Sequence, residues 1–403
     1  MSRRVVITSM GYITSMGDSE ETVMDRFRTD QTGFRYDEAF SDVLVCPVDN
    51  FDVRQYTGRY KNRRYLNRGA AFCGASAILA VQNADIPDQQ LADAGLFSGV
   101  GPNLDMGEVC RKMVTEENGQ TILPALWMLS FLPNTASSVI ADILGIHGEN
   151  ATISTACSAS LQAMGEGFRR IKDGYLDMAL AGGGDSRLNH GGILAYHKAQ
   201  ALHRGTGAPE TAYSAFDKDR SGFVPGEGGA YFVLEDLAGA QKRNAPIVAE
   251  VCGFGCSLDG YNMTAPQPDG IWAEKAVRHA LHEAGVAPAD VDLVAAHGTG
   301  TVLNDHMEAE MIHRVFSRRP PLVTSFKSWV GHLAAACGAV ETALALLCMK
   351  NSFIPRIRNL RHSCTAEIRL VRENTTAAID LALIQSFGFG GQNSALVVRK
   401  WKN

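Results

Sequence analysis

One stretch limits the possible folds more than any other: Thr152–Gly174, TISTACSASLQAMGEGFRRIKDG. It opens on β-branched residues and turns through Ala156, Cys157 and Ser158. It continues with Leu161, Met164, Phe168 and Ile171 at helical spacing. Arg169, Arg170 and Lys172 crowd the end of that run and Gly174 follows, the pattern of a helix C-terminus. The chain therefore runs from a strand straight into a helix, with Cys157 at the junction. Unpaired N–H groups and the positive dipole end favour an anion there. A thiol of ordinary pKa, roughly 8.5, is expected to fall in such a place. Ala156, Ser158, Ala159 and Ser160 leave room for a substrate. An arbitrary free cysteine is most often a small buried hydrophobe; the position of this one favours a nucleophile.

The alternation recurs along the chain. Arg4–Met10, Ala94–Val100, Met178–Ala181 and Tyr231–Glu235 read as strands, Ala70–Asn83 and Leu237–Arg243 as helices, and Gly182–Gly184 as a turn. Glu20–Asp52 reads as loop-rich, and Tyr213–Gly229, dense in Gly, Asp and Pro, as a long structured loop. A second cycle starts near Ile247, where IVAEVCGFG answers RVVITSMG. Strands Asp292–Ala296, Leu322–Ser325 and Ser394–Arg399 then alternate with helices Ile271–Ala284, His306–Phe316 and Gly331–Lys350. This predicts an α/β fold with buried, largely parallel sheets. The repeated order predicts an internal duplication, 1–243 and 244–403.

Composition removes several classes of function. The 403 residues are 45% hydrophobic and 20% charged, as in ordinary globular proteins. A net charge of -5 argues against nucleic acid as the main partner. No apolar run reaches a membrane span, since the best candidate, Ala334–Met349, is broken by Glu341. MSRRVVITSMG lacks the apolar core and cleavage site of a secretory signal. Nine cysteines without a framework suggest free thiols in a reducing cytoplasm.

Three loops of the second half carry unusual chemistry. AAHGTGT puts His297 just after a short apolar strand, where α/β folds place reactive groups. SFKSWVGHLAAACGAVE sets Lys327 and His332 either side of a turn before an Ala-rich helix. QSFGFGGQNSALVV is glycine-rich but leads into a strand, whereas a phosphate loop leads into a helix. Its N–H groups suit an oxyanion hole, with Phe387 or Phe389 as an apolar wall. His279/His282 and Cys252/Cys256 lack partners at zinc-like spacing, so no metal is expected. The basic run Arg54–Arg68 suits a solvated surface or a docking patch.

Taken together, TACSAS, AHGTGT, KSWVGH and SFGFGG, in this order and separation, resemble the β-ketoacyl-acyl-carrier-protein synthases, closest to synthase II. DKDRSGFVPGEGG and LAGGGDS are similar to loops of the same family, and the resemblance covers the whole chain. Synthase III and chalcone-type enzymes pair Cys with His and Asn; a thiolase needs a second catalytic Cys, and Cys364 lies in no such motif.

The resemblance implies a thiolase-like fold, two pseudo-symmetric halves in five α-β-α-β-α layers, assembled as a homodimer or a heterodimer with a related subunit. It implies decarboxylative Claisen condensation of an acyl group on Cys157 with malonyl-carrier protein. Catalysis would fall to Cys157, His297, His332 and Lys327, with Glu341 in support. The N–H groups of Cys157 and Phe389 would form the oxyanion hole, Phe389 also gating the pocket. Thr299 and Thr301 would hold the pantetheine arm, and Arg63, Arg64 and Arg68 would meet an acidic acyl carrier protein. No cofactor is implied, because 4'-phosphopantetheine arrives on the carrier. Gln392 replaces the family's usual threonine, Trp329-Val330 replaces smaller or polar residues, and Ser15 stands where proline is common. These departures are expected near the substrate channel; they count against housekeeping fatty-acid elongation and leave fatty-acid or specialised polyketide or polyene chain elongation as the implied pathways. The alternatives are a catalytic subunit that needs a chain-length-factor-like partner, or a non-catalytic partner. The intact Cys157, His297 and His332 disfavour the latter.

Overall fold

The computed structural model of this chain describes residues 3–40, 43–105, 115–117, 120–122, 125–205, 207–365 and 367–402. Five strands of the first half are β1 (Val5–Ile13), β2 (Gly95–Gly99), β3 (Asn150–Ile153), β4 (Met178–Ser186) and β5 (Glu227–Asp236). Five of the second are β6 (Ala249–Leu258), β7 (Leu293–Ala295), β8 (Leu322–Thr324), β9 (Leu381–Gly388) and β10 (Gln392–Lys400). Most residues of these strands are buried, because helices cover both faces.

The two sets share one topology. In space the first runs β1-β5-β4-β2-β3 and the second β6-β10-β9-β7-β8. In each, the first three strands are mutually antiparallel and the last three parallel. Three residues of β1 (Val5–Ile7) pair with three of β6 (Ala249–Val251). That link makes one eleven-stranded sheet, completed by the edge segment Arg369–Leu370 beside β8.

Six main helices follow the same repeat: α1 (Arg68–Gln82), α2 (Thr135–Leu144), α3 (Ala159–Lys172), α4 (Ile271–Ala284), α5 (Val302–Phe316) and α6 (Cys337–Asn351). α1 packs on β1, β4 and β5, with α2 beside it; α4 packs on β6 and β10, with α5 beside it. α3 and α6 pack against each other between strands of both halves. The order is thus helix, strand, helix, strand, helix. α6 is buried from Cys337 to Met349, so no polar face gives it amphipathic periodicity.

Several expectations are corrected. Gly182–Gly184 form no turn and lie inside β4. A Cβ on Gly182 would stand 2.1 Å from Ala230 O, and on Gly183 2.3 Å from Gly99 O. These glycines admit neighbouring backbone. Glu20–Asp52 contains a ten-residue helix, Glu20–Thr29, capped by Ser19. The glycine-rich stretch near the C-terminus is preceded by β9, whose apolar run LALI had no strand assigned to it. Trp329 does not border the substrate channel. It is fully buried against Phe27 and Phe326, and its indole N–H donates to Arg356 O at 2.8 Å. Ser15 is buried as well, 3.1 Å from the Cys46 sulfur.

Candidate active site

Cys157 occupies a 3-10 turn, Ala156–Ser158, between β3 and α3. The junction is sharp because Ala156 adopts a left-handed φ of 48°, a conformation that costs a non-glycine residue of order 1 kcal/mol. The second half repeats the device without the thiol: Ala334 has φ 47° in the 3-10 turn Ala334–Ala336, just before α6. The elbow is tied down by Ser158, whose hydroxyl is shared between Ser386 O (2.8 Å) and Gln392 O (2.7 Å).

That tie brings the β9–β10 hairpin against the thiol. The turn is Phe389-Gly390-Gly391, since Gly388 pairs with Gln392. Gly390 and Gly391 have φ of 86° and 78°, which explains both glycines. Gly388 has another reason: a Cβ there would lie 2.9 Å from Thr155 O and 3.1 Å from Cys157 N. The Phe389 N–H bonds to the Cys157 sulfur. The loop is held by Gly390 N–H to Met263 O (2.8 Å) and by Asp259 N–H to Gly391 O (2.9 Å). Turn geometry and close approach account for its glycines without invoking motion. The Phe389 side chain is 39% exposed at the cavity wall.

His332 Nε2 lies 3.3 Å from Cys157 Sγ. Its Nδ1 accepts the Ala334 N–H at 3.0 Å. The neutral ring therefore carries its proton on Nε2, facing the sulfur. His297 has the same polarity: Lys327 Nζ is 3.2 Å from its Nδ1 and, as an ammonium, can only donate. The ring centroids of the two histidines are 5.8 Å apart. Burial, then the Lys327 charge, pushes His332 down to about 3 and His297 well below the usual imidazole range. Both are neutral Nε2–H donors at physiological pH.

Lys327 is fully buried and hydrogen-bonded to the buried Glu341 of α6. Burial alone would depress the amine; Glu341 more than offsets it, so the ammonium is held above its ordinary value. The expected lowering of Cys157 does not occur in the resting site. Burial raises the thiol, to about 11, against the pull of Lys327 and of the Phe389 N–H. Apolar surroundings outweigh the helix end, although the sulfur still borders the cavity.

The AHGTGT loop is shaped by carboxylates that sequence inspection missed. Glu308 of α5 accepts the N–H groups of His297 (2.6 Å) and Gly298 (2.7 Å). Asp305, one turn earlier, accepts those of Gly300 (3.1 Å) and Phe216 (2.7 Å). The signal was present as Asn304-Asp305-x-x-Glu308, a spacing that puts both acids on one helix face. Thr299 and Thr301 share a 2.9 Å hydrogen bond and line the cavity.

The structure thus joins Cys157, His297, His332, Thr299, Thr301 and Phe389 around one cavity of about 610 Å³, with Lys327 and Glu341 buried behind His297. Arg63, Arg64 and Arg68 do not line it. Arg68 makes a bidentate pair with the buried Glu227 and lies over Phe51 and Phe72, so its guanidinium also serves the fold. The donor atoms of Cys157, His297 and His332 fall within 4.8 Å of one another, a spacing a metal ion could bridge. Metal binding through Nε2 requires a proton on each Nδ1, yet both Nδ1 atoms face donors.

Residues 2–240 match the Beta-ketoacyl synthase, N-terminal domain, and residues 248–361 the Beta-ketoacyl synthase, C-terminal domain. The chain belongs to the β-ketoacyl synthase family. It is 31% identical to the Staphylococcus aureus (strain N315) 3-oxoacyl-[acyl-carrier-protein] synthase 2, covering 100% of this chain and 99% of that one. Among solved structures it is similar to a β-ketoacyl synthase from Burkholderia phymatum STM815, with TM-score 0.91, 27% identity and coverage of 99% and 100%. It is also similar to the ishigamide ketosynthase/chain length factor, with TM-score 0.90, 29% identity and full coverage of both. The thiolase-like architecture of these ketosynthases is the one described above.

In this β-ketoacyl synthase, Gly388 offers a local test. Gly388→Ala would push a methyl against the Cys157 N–H. Loss of one oxyanion donor typically lowers kcat about 10²–10³-fold. Condensation kinetics should fall by at least that order, with a lowered melting temperature as the backbone gives way around the new methyl; unchanged kcat would remove the Cys157 N–H from the mechanism.

Proposed function

We propose that this protein is a catalytically competent ketosynthase, condensing an acyl group on Cys157 with malonyl-carrier protein. The observation that carries the reading is convergence: a thiol at a strained elbow, two N–H groups beside it and two neutral Nε2–H imidazoles within one cavity.

Acyl transfer begins with attack of the Cys157 sulfur on the carrier thioester. The carbonyl oxygen gathers charge between the N–H groups of Cys157 and Phe389. Collapse expels the pantetheine thiolate, which takes the proton Cys157 gives up. No net charge is created, so a thiol raised by burial still exchanges. Malonyl-carrier protein then enters along Thr299 and Thr301. Its C–CO₂ bond breaks, carbon dioxide leaves, and the electron pair moves to an enolate whose oxygen faces His297 and His332. The carbanion carbon attacks the acyl carbonyl, Cys157 leaves as thiolate, and a proton taken from solvent restores the resting thiol. The product is a β-ketoacyl thioester two carbons longer. Lys327, anchored by Glu341, fixes the His297 tautomer. Phe389, partly exposed at the wall, closes over the acyl group. No resident cofactor enters these steps; 4'-phosphopantetheine comes with the carrier.

An acyl carrier protein is the partner named for the 31% identical relatives. Two related subunits suit the half-exposed edge strand β3, which is hydrogen-bonded to β2 and otherwise terminates the sheet among described strands. The ketosynthase/chain length factor likeness supports a heterodimer as the second assembly. No described helix is long and apolar enough to cross a membrane. Eight described cysteines are free thiols, in keeping with cytoplasmic placement. The halves 1–243 and 244–403 act as one catalytic unit, since the site draws on both.

Arg63 and Arg64 remain as docking charges. Arg64 is exposed, and Arg63 bonds only the backbone carbonyls of Gly58 and Tyr60 among the partners described. Reversing both to Glu should raise KM for carrier-bound substrate about tenfold at low salt and leave turnover of a pantetheine thioester near the parent value. Equal losses on both substrates would give the pair a role in folding. The overall reading is tested by incubating the protein with acyl- and malonyl-carrier protein. A β-ketoacyl product supports it; free carbon dioxide without product, or no turnover with any partner subunit, contradicts it.

A further inference from the structure

Beyond Cys157, the largely apolar cavity wall is interrupted by a buried charge. Arg187 lines it, only 5% exposed, held by a 2.8 Å ion pair with the buried Asp185 and by a bond to the Pro102 carbonyl. The site is built for this guanidinium. A Cβ on Gly101 would stand 1.7 Å from Arg187 Nη2 and 2.4 Å from Asp185 Oδ2, so only glycine leaves the space. Asp185 also accepts the Ala335 N–H at 3.1 Å, which ties the pair to the elbow matching that of Cys157. Tyr196 lines the same wall, from the helix His190–Lys198. Its ring packs edge-on against Phe223 at 4.9 Å, and Phe223 lies 4.6 Å from the His332 ring.

We propose that Arg187 and Tyr196 form a polar subsite that selects acyl chains carrying a neutral oxygen acceptor, a keto or hydroxyl oxygen, over saturated chains of equal length. This rests on Cys157 being the acylated residue. A guanidinium carries five N–H donors in a fixed fork. Among described residues, Asp185 and Pro102 engage one each. A hydrocarbon chain would leave donors facing it dry and unpaired, the situation that makes hydrogen-bonding sites reject analogues lacking the polar group. A carboxylate suits the site less well, because Asp185 already balances the charge and a third ion would lose its hydration without a partner of its own. The phenol is raised by burial, with Arg187 acting against it, and so is a neutral hydroxyl able to donate.

The test measures the rate of Cys157 acylation by intact mass, using pantetheine thioesters of octanoate and of its 3-oxo, 5-oxo and 7-oxo analogues. The parent should favour at least one oxo-acyl chain over octanoyl. Arg187→Met and Tyr196→Phe should each lower that oxo/saturated ratio about tenfold, the worth of one hydrogen bond to a charged or well-placed donor. Tyr196→Phe keeps the ring and serves if Arg187→Met does not fold. A parent that favours octanoyl over every analogue, or variants that lose both rates in proportion, overturns the subsite and leaves the nucleophile intact. Acylation by none of the four removes the nucleophile reading itself, and the subsite with it.

Discussion

Replacing Cys157 with Gln should abolish condensation, by about 10⁴-fold or more as for removal of a nucleophile, while malonyl decarboxylation continues. The Gln amide resembles an acylated cysteine in size, and its oxygen can sit between the backbone N–H at position 157 and that of Phe389. The two histidines are untouched, because neither depends on the thiol for its tautomer: Lys327 and the Ala334 N–H set those. Carbon dioxide release from malonyl-carrier protein, followed beside product formation, separates the steps. Loss of both together would mean that decarboxylation needs the thiol, and the division of labour would be wrong.

Removing either imidazole should instead slow decarboxylation itself. His297→Ala or His332→Ala takes one Nε2–H donor from the enolate oxygen, and such donors are worth about 10²–10³ in rate. Decarboxylation in the Cys157→Gln background should fall by that order in each variant. The pH profile gives a second reading. Both rings are depressed by burial and the Lys327 charge, His332 to about 3 and His297 well below the usual imidazole range, so each neutral donor is lost only below that range. Decarboxylation should therefore be flat between about pH 5 and 8, with no inflection near the ordinary imidazole value of about 6.5. An acid-side inflection near 6.5 that vanishes with His297 or His332 would show a charged histidine at work and contradict these tautomers.

The main lines of this site were legible because its chemistry sits on short, polar-apolar junctions. The β-branched run before Cys157 and the helical spacing after it were enough to place the thiol at an elbow. What eluded the sequence was what burial hides. Glu308 and Asp305 drew no role from the sequence, because nothing in it shows their carboxylates accepting loop N–H groups. Arg68 looked like the end of a basic surface run because its partner, Glu227, lies 159 residues away. Gly182–Gly184 looked like a turn because close backbone approach leaves the same mark as a bend. The thiol's direction of shift was misjudged for a related reason: the helix end is visible in the sequence, and the apolar packing that outweighs it is not. The fold duplication was faint in residue identity and plain in strand order, since topology depends on the pattern of burial and not on which apolar residue is used.

The central claim is that Cys157 carries the acyl group that malonyl-carrier protein then extends. Mass spectrometry of the Cys157 peptide, taken after incubation with acyl-carrier protein and again after adding malonyl-carrier protein, tests it most directly. The first spectrum should carry the mass of the acyl group on Cys157 alone, and the second should return the free thiol as the β-ketoacyl thioester appears. An acyl group on any other residue, or an acyl-Cys157 that malonyl-carrier protein leaves in place, would contradict it.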